Sequence, residues 1–410
     1  MTVYFLNTLP WNIFSLSWRY LWSRPLAAGL NLLLLTLGLA SITLMLLVGH
    51  QINTAFERDL AGIDVVVGAK GSPMQLILSG VFHLDVPTGN VPLAAIEALK
   101  TNRQVAKIIP ISLGDSFRGF RIVGTTPDYI AHYKMTLAQG ALWTQPMQMV
   151  IGAQVAARTG LTVGDQFAGT HGLGSSGDVH AKTPYTVVGV LAGNGSVLDR
   201  LLITATESVW KAHEADTALD EEDQKILEAE REVTLALIQY TTPLAAVTFP
   251  RFINTTTEMQ AAAPALEITR LLSMIGVGTN LMKALAGVLL LTAGLSVFIA
   301  LWSAVRERRA DLALLRMLGA PPRRVATLLL VEALWLALLA TVLGVAAGQG
   351  LAWLMGWALQ LEQSVLIGGA VWPAELLAIP ALALAVAVVS ALLPAWEAYR
   401  VSVFELLQTR

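Results

Sequence analysis

The sequence predicts a membrane protein with four transmembrane α-helices and a large α+β extracytoplasmic domain between helices 1 and 2. Two observations carry that expectation. At 55% hydrophobic and only 14% charged over 410 residues, the composition is richer in apolar residues than an ordinary soluble domain. The apolar residues also gather into four blocks, each long enough to cross about 30 Å of hydrocarbon, which takes roughly 20 helical residues. The blocks fall at 26–48, 281–305, 325–348 and 373–394, with residues 49–280 between the first and second.

Residues 1–25 precede the first block. "NIFSLSWRYLWSRP" alternates aromatics with arginines and stops at Pro25. That pattern fits a short elbow helix lying in the membrane interface, the other reading being an unstructured tail with anchoring tryptophans. The first block, Leu26 to Val48, carries no charge and is too long for the apolar core of a signal peptide. It reads as an uncleaved span.

Lysine and arginine near span ends fix the expected orientation, because cytoplasmic loops collect them. Arg19 and Arg24 precede the first block, and Arg306, Arg308, Arg309, Arg316, Arg323 and Arg324 lie between the second and third. The loop 349–372 between the third and fourth contains Glu362 and no base. Both termini, including the tail 395–410, and the basic stretch 306–324 are therefore expected inside, and 49–280 outside.

The outer segment holds 16 Lys+Arg against 22 Asp+Glu, leaving 11 against 7 for the rest. The basic excess is a topology signal, and no nucleic-acid footprint is present. The absence of cysteine excludes thiol catalysis and thiolate metal sites, and suits an exported domain large enough to rely on its own core.

Past Val48 the helical pattern continues through "QINTAFERDLAG", with Gly62 as a C-terminal cap, and Pro264 opens "ALEITRLLSMIGVGTNLMK" ahead of the second block. Both spans thus extend as a stalk. Between them "IDVVVGA", "VAKIIPISL", "FRGFRIVGT", "YTVVGVLAG", "RLLITA" and "VTLALIQYT" read as strands, while "PLAAIEALK", "TPDYIAHY" and "ESVWKAHE" read as helices. Two strand-helix-strand units suggest a ferredoxin-like split fold with an inserted subdomain at about 134–183. Gly169 to Lys182 reads as a Gly/Ser-rich flexible loop, and Asp220 to Glu232 as an acidic solvated face or partner contact.

The stretch "RERRADLALLRMLGAPPRRV" carries the main functional signal. Leu314, Met317 and Leu318 fall on one helical face, Arg309 and Arg316 on another, Gly319 caps the end, and Pro321 with Pro322 restarts the chain. A capped amphipathic helix between two spans suits a groove on a soluble partner; the plainer reading is that the arginines only obey the inside-positive rule. The third block contains Glu332, a carboxylate costly at that depth. It either faces the bundle or dimer interior or snorkels toward Arg323 or Arg324. Gly344 and Gly348 form a G-x-x-x-G that permits close helix packing, a pattern that also arises by chance in an Ala/Leu-rich helix.

His83 with Asp85, and His171 with His180, lack the spacing of a metal site and read as ordinary surface or loop residues. No nucleophile context for a catalytic triad is present, so no catalytic residue is expected. No G-x-x-x-x-G-K-[ST] occurs either, and "GAKGSP" has the wrong spacing.

"ERRADLALLRMLGAPPRRV" resembles the signature of the FtsX/MacB-like permeases, also called type VII ABC transporter permeases, through Glu307, Arg308, Arg309, Leu314, Leu315, Arg316, Leu318, Gly319 and Ala320. "VIGAQVAARTGLTVGDQF" resembles the family's extracytoplasmic domain, and "VEALWLALLATVLGVAAG" its third helix. "LPAWEAYRVSVFELLQ" resembles its ending, except that Val403 stands where proline is usual.

The resemblance implies a mechanotransmitting permease subunit, not itself an enzyme, in the inner membrane of a bacterium. It binds no cofactor of its own; a separate cytoplasmic ABC ATPase uses ATP and Mg. Two permease chains pair, compatibly with a homodimer. The periplasmic domains act on a client such as a lipoprotein, peptide or small molecule, with a possible periplasmic or outer-membrane partner. On this reading the stretch from Glu307 to Gly319 docks the ATPase, with Leu314, Met317 and Leu318 as anchor and Arg309 and Arg316 as charge complement, while Glu332, Gly344 and Gly348 serve packing and closure. One rival is an FtsX-like regulator that activates a periplasmic hydrolase. Another is a transmembrane sensor, which would need a cytoplasmic output domain.

Overall fold

The structure, a computed structural model, describes residues 9–172, 183–214, 227–228, 230–361 and 371–400. The chain divides into two compact units. One comprises Met1–Ile52, Ile275–Leu361 and Val365–Arg410, the other Asn53–Met274 with Glu362–Ser364.

Among the described residues of the first unit, four helical stretches are long and apolar enough to cross a membrane: Pro25–Leu60, Asn280–Glu307, Pro322–Ala358 and Ala374–Arg400. A helix over Leu9–Leu21 precedes them. The first and second spans belong to helices much longer than a bilayer requires, Pro25–Leu60 with 36 residues and Pro264–Glu307 with 44. At about 1.5 Å per residue they reach roughly 54 and 66 Å.

Apolar side chains alone do not hold such a bundle, because lipid solvates leucine as well as another helix does, so close backbone approach has to contribute. The fourth span buries Ala383, Ala387, Ala391, Ala395 and Ala398, a stripe at three- and four-residue spacing. A Cβ at Gly38 would come within 2.9 Å of Leu290 on the second span. At Gly294 it would meet Ser390 and Val386 of the fourth at 3.3 Å.

The second unit is built on strands. Among the described residues they are, in chain order, β1 (Val65–Ala69), β2 (Val91–Pro92), β3 (Val105–Phe117), β4 (Phe120–Thr125), β5 (Leu137–Gly140), β6 (Gln148–Ile151), β7 (Gln166–Phe167), β8 (Thr170–His171), β9 (Tyr185–Leu191), β10 (Leu202–Ala205), β11 (Glu232–Val233), β12 (Leu235–Tyr240) and β13 (Met259–Ala262). One eleven-stranded sheet takes the order β13-β1-β12-β3-β4-β10-β6-β9-β5, with β7 on β9 and β8 on β3, while β2 and β11 pair separately.

The segment β13-β1-β12-β3 is antiparallel throughout and has the order of a ferredoxin-like split unit. Its strands are apolar on both sides because both faces are covered. Val65 and Val67 pack with Ile96, Phe249 and Ile253 of two helices, and Val66 packs with Leu76, Ile77 and Ile109 on the opposite face.

The second strand-helix-strand is thus β12, the helix Ala245–Thr256 and β13, and everything from β4 to β11 is inserted between β3 and β12. The insertion is therefore much wider than the expected 134–183. The reason lies in β4 and β10, which are parallel neighbours and belong to the inserted sheet instead of the split unit. "FRGFRIVGT" is likewise not one strand: Arg118 and Gly119, with φ of 49° and 83°, make a two-residue hairpin turn between β3 and β4.

The helix Pro25–Leu60 ends at Gly62, whose φ of +78° suits glycine alone. Its last turn is keyed into the insertion. Tyr133 donates its hydroxyl to the Asp59 carbonyl at 2.8 Å, and the buried Asp59 carboxylate accepts the Val197 amide at 3.3 Å. One turn earlier, Phe56 meets Phe82 of the split unit edge-on at 5.0 Å.

Of the stretch Gly169–Lys182, Thr170–His171 forms β8 and residues 173–182 lie outside the described residues. Most of Asp220–Glu232 also lies outside them, and its end joins β11. The tail beyond Arg400, Glu362 and His180 are outside them too.

Candidate functional site

The second spanning helix ends at Glu307, and a separate nine-residue helix, Arg309–Met317, follows before the third begins at Pro322. Arg308 is the break, with φ −96° and ψ 13°. The far end closes on Gly319 at φ +95°, where the Ala320 amide reaches the Leu315 carbonyl at 3.0 Å and the Gly319 amide that of Arg316 at 3.0 Å. Glycine accepts that left-handed turn without cost and Pro321 follows where no helical amide is needed, so the sequence sets the length of this helix.

The short helix has two faces. Leu312 and Ala313 are buried against the bundle, and Leu315 and Arg316 are half-buried. Leu314, Met317 and Leu318 are exposed, at 53%, 56% and 78%. Spaced at i, i+3 and i+4, those three residues lie on one side of the helix and its C-cap.

Three consecutive charged residues at its start pair with other parts of the chain. Glu307 pairs with Arg24, just before the first span. Arg308 donates to the Tyr20 carbonyl at 3.1 Å and the Ser23 hydroxyl at 2.7 Å, and its guanidinium lies 4.5 Å from the Tyr20 ring centre. Its other nitrogen is 3.9 Å from Glu332 on the third span. Arg309 donates to Glu397 on the fourth at 2.6 Å. Glu307, Arg308 and Arg309 therefore have partners within the chain.

Glu332 is 5% exposed, and its charge partner is Arg308, not Arg323 or Arg324. Helical geometry gives the reason: Arg323, nine residues or about two and a half turns away, lies on the opposite face from Glu332, and Arg324, eight residues away, lies about 12 Å along the axis. Gly344 and Gly348 face the first span: a Cβ at Gly344 would lie 2.7 Å from that of Leu39, and one at Gly348 2.5 Å from that of Thr43.

No group of three or more His, Asp or Glu that could hold a metal occurs among the described residues. His83 is a core residue, 2.9 Å from the Tyr129 hydroxyl through Nε2. Burial, reinforced by Arg121 and Arg200, pushes its pKa well below the ordinary value, so it stays neutral. His171 lies 3.5 Å from Asp115. Sequence reasoning missed the in-chain partners of the basic stretch, because Tyr20 and Glu397 are 288 and 88 residues away along the chain.

Comparison with known proteins assigns both units. A family model described as FtsX-like permease C-terminal matches residues 283–403, and one described as MacB-like periplasmic core domain matches residues 28–245. The pyoverdine export ATP-binding/permease protein PvdT of Pseudomonas fluorescens (strain Pf0-1) is 25% identical over 367 residues, covering 85% of this chain and 52% of that protein. Its namesake from Pseudomonas aeruginosa is 23% identical over 380 residues, covering 85% and 51%. The chain thus spans about half the length of the curated relatives it matches.

Among solved structures, the periplasmic region of MacB from Actinobacillus actinomycetemcomitans aligns at 12% identity and a TM-score of 0.34, over 52% of this chain and 95% of that one. The extracellular domain of the noncanonic ABC-type transporter YknZ from Gram-positive bacteria aligns at 12% and 0.30, over 48% and 98%. With the periplasmic-core model alone matching more than half of the sequence and the permease model matching the last three spans, the chain belongs to the FtsX- and MacB-like family of ABC transporter permeases.

Proposed function

We propose that the chain works by mechanotransmission: a separate cytoplasmic ATPase docks on the helix Arg309–Met317, and its nucleotide cycle moves the extracytoplasmic domain to export, extract or release a periplasmic or membrane-derived substrate. The observation that carries this reading is the exposed apolar triad Leu314, Met317 and Leu318 on a short helix whose opposite face is packed into the bundle. A helix fixed by its own chain on one side and apolar on the other is prepared to fill a groove. The relatives' printed names join ATP binding and permease in one protein, and the half matched here contains no phosphate-cradling loop.

The geometry alters the division of labour within the basic stretch. Arg309 is held by Glu397, so the charge complement toward a partner falls chiefly to Arg316, while Glu307, Arg308 and Arg309 brace the platform. The basic stretch faces the cytoplasm and the large domain the periplasm, in line with the positive-inside rule. A second copy of the chain completes the assembly. The client is a small molecule, peptide or lipoprotein, and the pyoverdine export in the relatives' printed names favours a small molecule.

The test is co-purification from the native membrane in mild detergent. The wild-type chain should bring down a Walker-motif ATPase at about one per permease. Replacing Leu314, Met317 and Leu318 with Asp or Ser should abolish that association while leaving membrane insertion intact, because truncating a buried anchor costs about 2 kcal/mol or more per residue. Undiminished recovery of the ATPase by the triple variant would sink the docking assignment, and recovery of a periplasmic hydrolase would favour the regulator reading.

A further inference from the structure

Beside the inward-turned charges lies a cavity of about 370 Å³ between the first three spans. That volume is within the range of about 300–1,000 Å³ typical of small-molecule sites. Its upper walls are apolar, with Leu30 on the first span, Ile299 and Ala300 on the second and Leu336 on the third. Leu30 and Ile299 are 56% and 54% exposed, so the cavity opens sideways through the flank of the bundle. A flank that apolar faces hydrocarbon, not water.

The other end carries charge of both signs. Arg24, Glu307, Arg308 and Glu332 all line it, two guanidinium groups and two carboxylates. Among the described residues, the buried Oε2 of Glu332 has no hydrogen-bond partner, its nearest counter-charge being Arg308 at 3.9 Å. A carboxylate left without a donor at such depth is costly. Asn31 and Ser296, bonded to one another at 2.5 Å, mark the boundary between the charged end and the apolar walls.

We propose that this cavity binds one phospholipid whose headgroup carries both a phosphate and a primary ammonium, namely phosphatidylethanolamine, from the leaflet on the side of the Arg309–Met317 helix. Two guanidinium groups supply the fork geometry that phosphate oxygens accept. Two carboxylates, one of them lacking a donor, accept from the three N–H bonds of an ammonium. An anionic headgroup would answer the arginines and repel Glu307 and Glu332. A quaternary choline has no N–H to give Glu332. The acyl chains leave past Leu30 and Ile299 into the bilayer, so the lipid becomes part of the joint where the elbow helix and the first three spans meet.

The experiment offers phosphatidylethanolamine, phosphatidylglycerol and phosphatidylcholine separately to the delipidated full chain in detergent, with native mass spectrometry counting bound lipids. Wild type should retain one phosphatidylethanolamine per chain, about tenfold over the choline lipid, the ratio expected of one charge-assisted hydrogen bond. Ala300→Phe, which fills the cavity, should lose that lipid while keeping its elution volume and melting temperature. The pair Glu307→Gln and Glu332→Gln should move the preference to phosphatidylglycerol, because only the guanidinium groups remain charged. Equal retention of all three lipids by wild type overturns the proposal without recourse to any variant. So does undiminished phosphatidylethanolamine on Ala300→Phe, an unchanged preference in the double glutamine chain, or a lipid-free dimer in which a second copy closes the opening.

Discussion

Glu307, Arg308 and Arg309 are consecutive, yet they close on the foot of the first span, the third span with the end of the helix Leu9–Leu21, and the fourth span respectively. Their energetic weights differ with burial. The Arg308 and Glu332 side chains are 14% and 7% exposed, those of Arg309 and Glu397 52% and 19%. Removing one member of a buried pair strands the other and costs about 3–5 kcal/mol, while an exposed pair is worth about 0–1 kcal/mol. Arg308→Ala is therefore expected to lower the melting temperature of the detergent-solubilised chain markedly and Arg309→Ala hardly at all. Equal effects would show that the two pairs are not differently solvated. The presence of the basic run was legible in the sequence, as were the exposed Leu314, Met317 and Leu318. Its in-chain partners were not, because an ion pair spanning dozens or hundreds of residues leaves no local spacing, and Glu332 looked closer to Arg323 than the helical phase allows.

At the level of elements, the best-read pieces were those with a strong period or a punctuating residue. The four apolar blocks, the Gly319 stop and the Gly62 turn all announce themselves. The helix Ala245–Thr256 and strand β13 did not. Pro250 sits inside that helix, its C-terminal end is threonine-rich, and a four-residue strand offers too little alternation to register. They form the second half of the split unit, so the weak local signal of both is what makes the insertion read narrower in sequence than it is.

The G-x-x-x-G pattern was ambiguous in sequence and is unambiguous in contact. Gly348→Leu must displace Thr43 or the Ala40 carbonyl on the first span, whereas a Cβ at Gly350 meets nothing within 4 Å. Overpacking of this kind costs about 1–3 kcal/mol, so Gly348→Leu should melt earlier than Gly350→Leu, and a reversed order would mean that the first and third spans separate readily.

For the whole molecule, segregation of apolar blocks from an acidic intervening segment was enough to foresee one span, a large domain and three further spans. Continuity of an eleven-stranded sheet across the split unit and its insertion was beyond reach, because register depends on long-range pairing. The orientation is open to a direct test, since the chain has no cysteine to confuse it. A membrane-impermeant maleimide on intact cells should label a Leu244→Cys chain and spare a Leu318→Cys chain, both positions being well exposed. The opposite pattern would invert the topology.

The sheet's two margins differ. At one, β13 is mostly buried beside the helix Ala245–Thr256. At the other, β5 is exposed along its length but spans only four residues, with a register break between Leu137 and Gln139 and a left-handed Gly140. An open sheet this wide invites a stray strand to add on, and aggregation begins that way. The broken, short β5 gives an incoming strand almost nothing to zip along, so the open margin of the sheet keeps its backbone to itself.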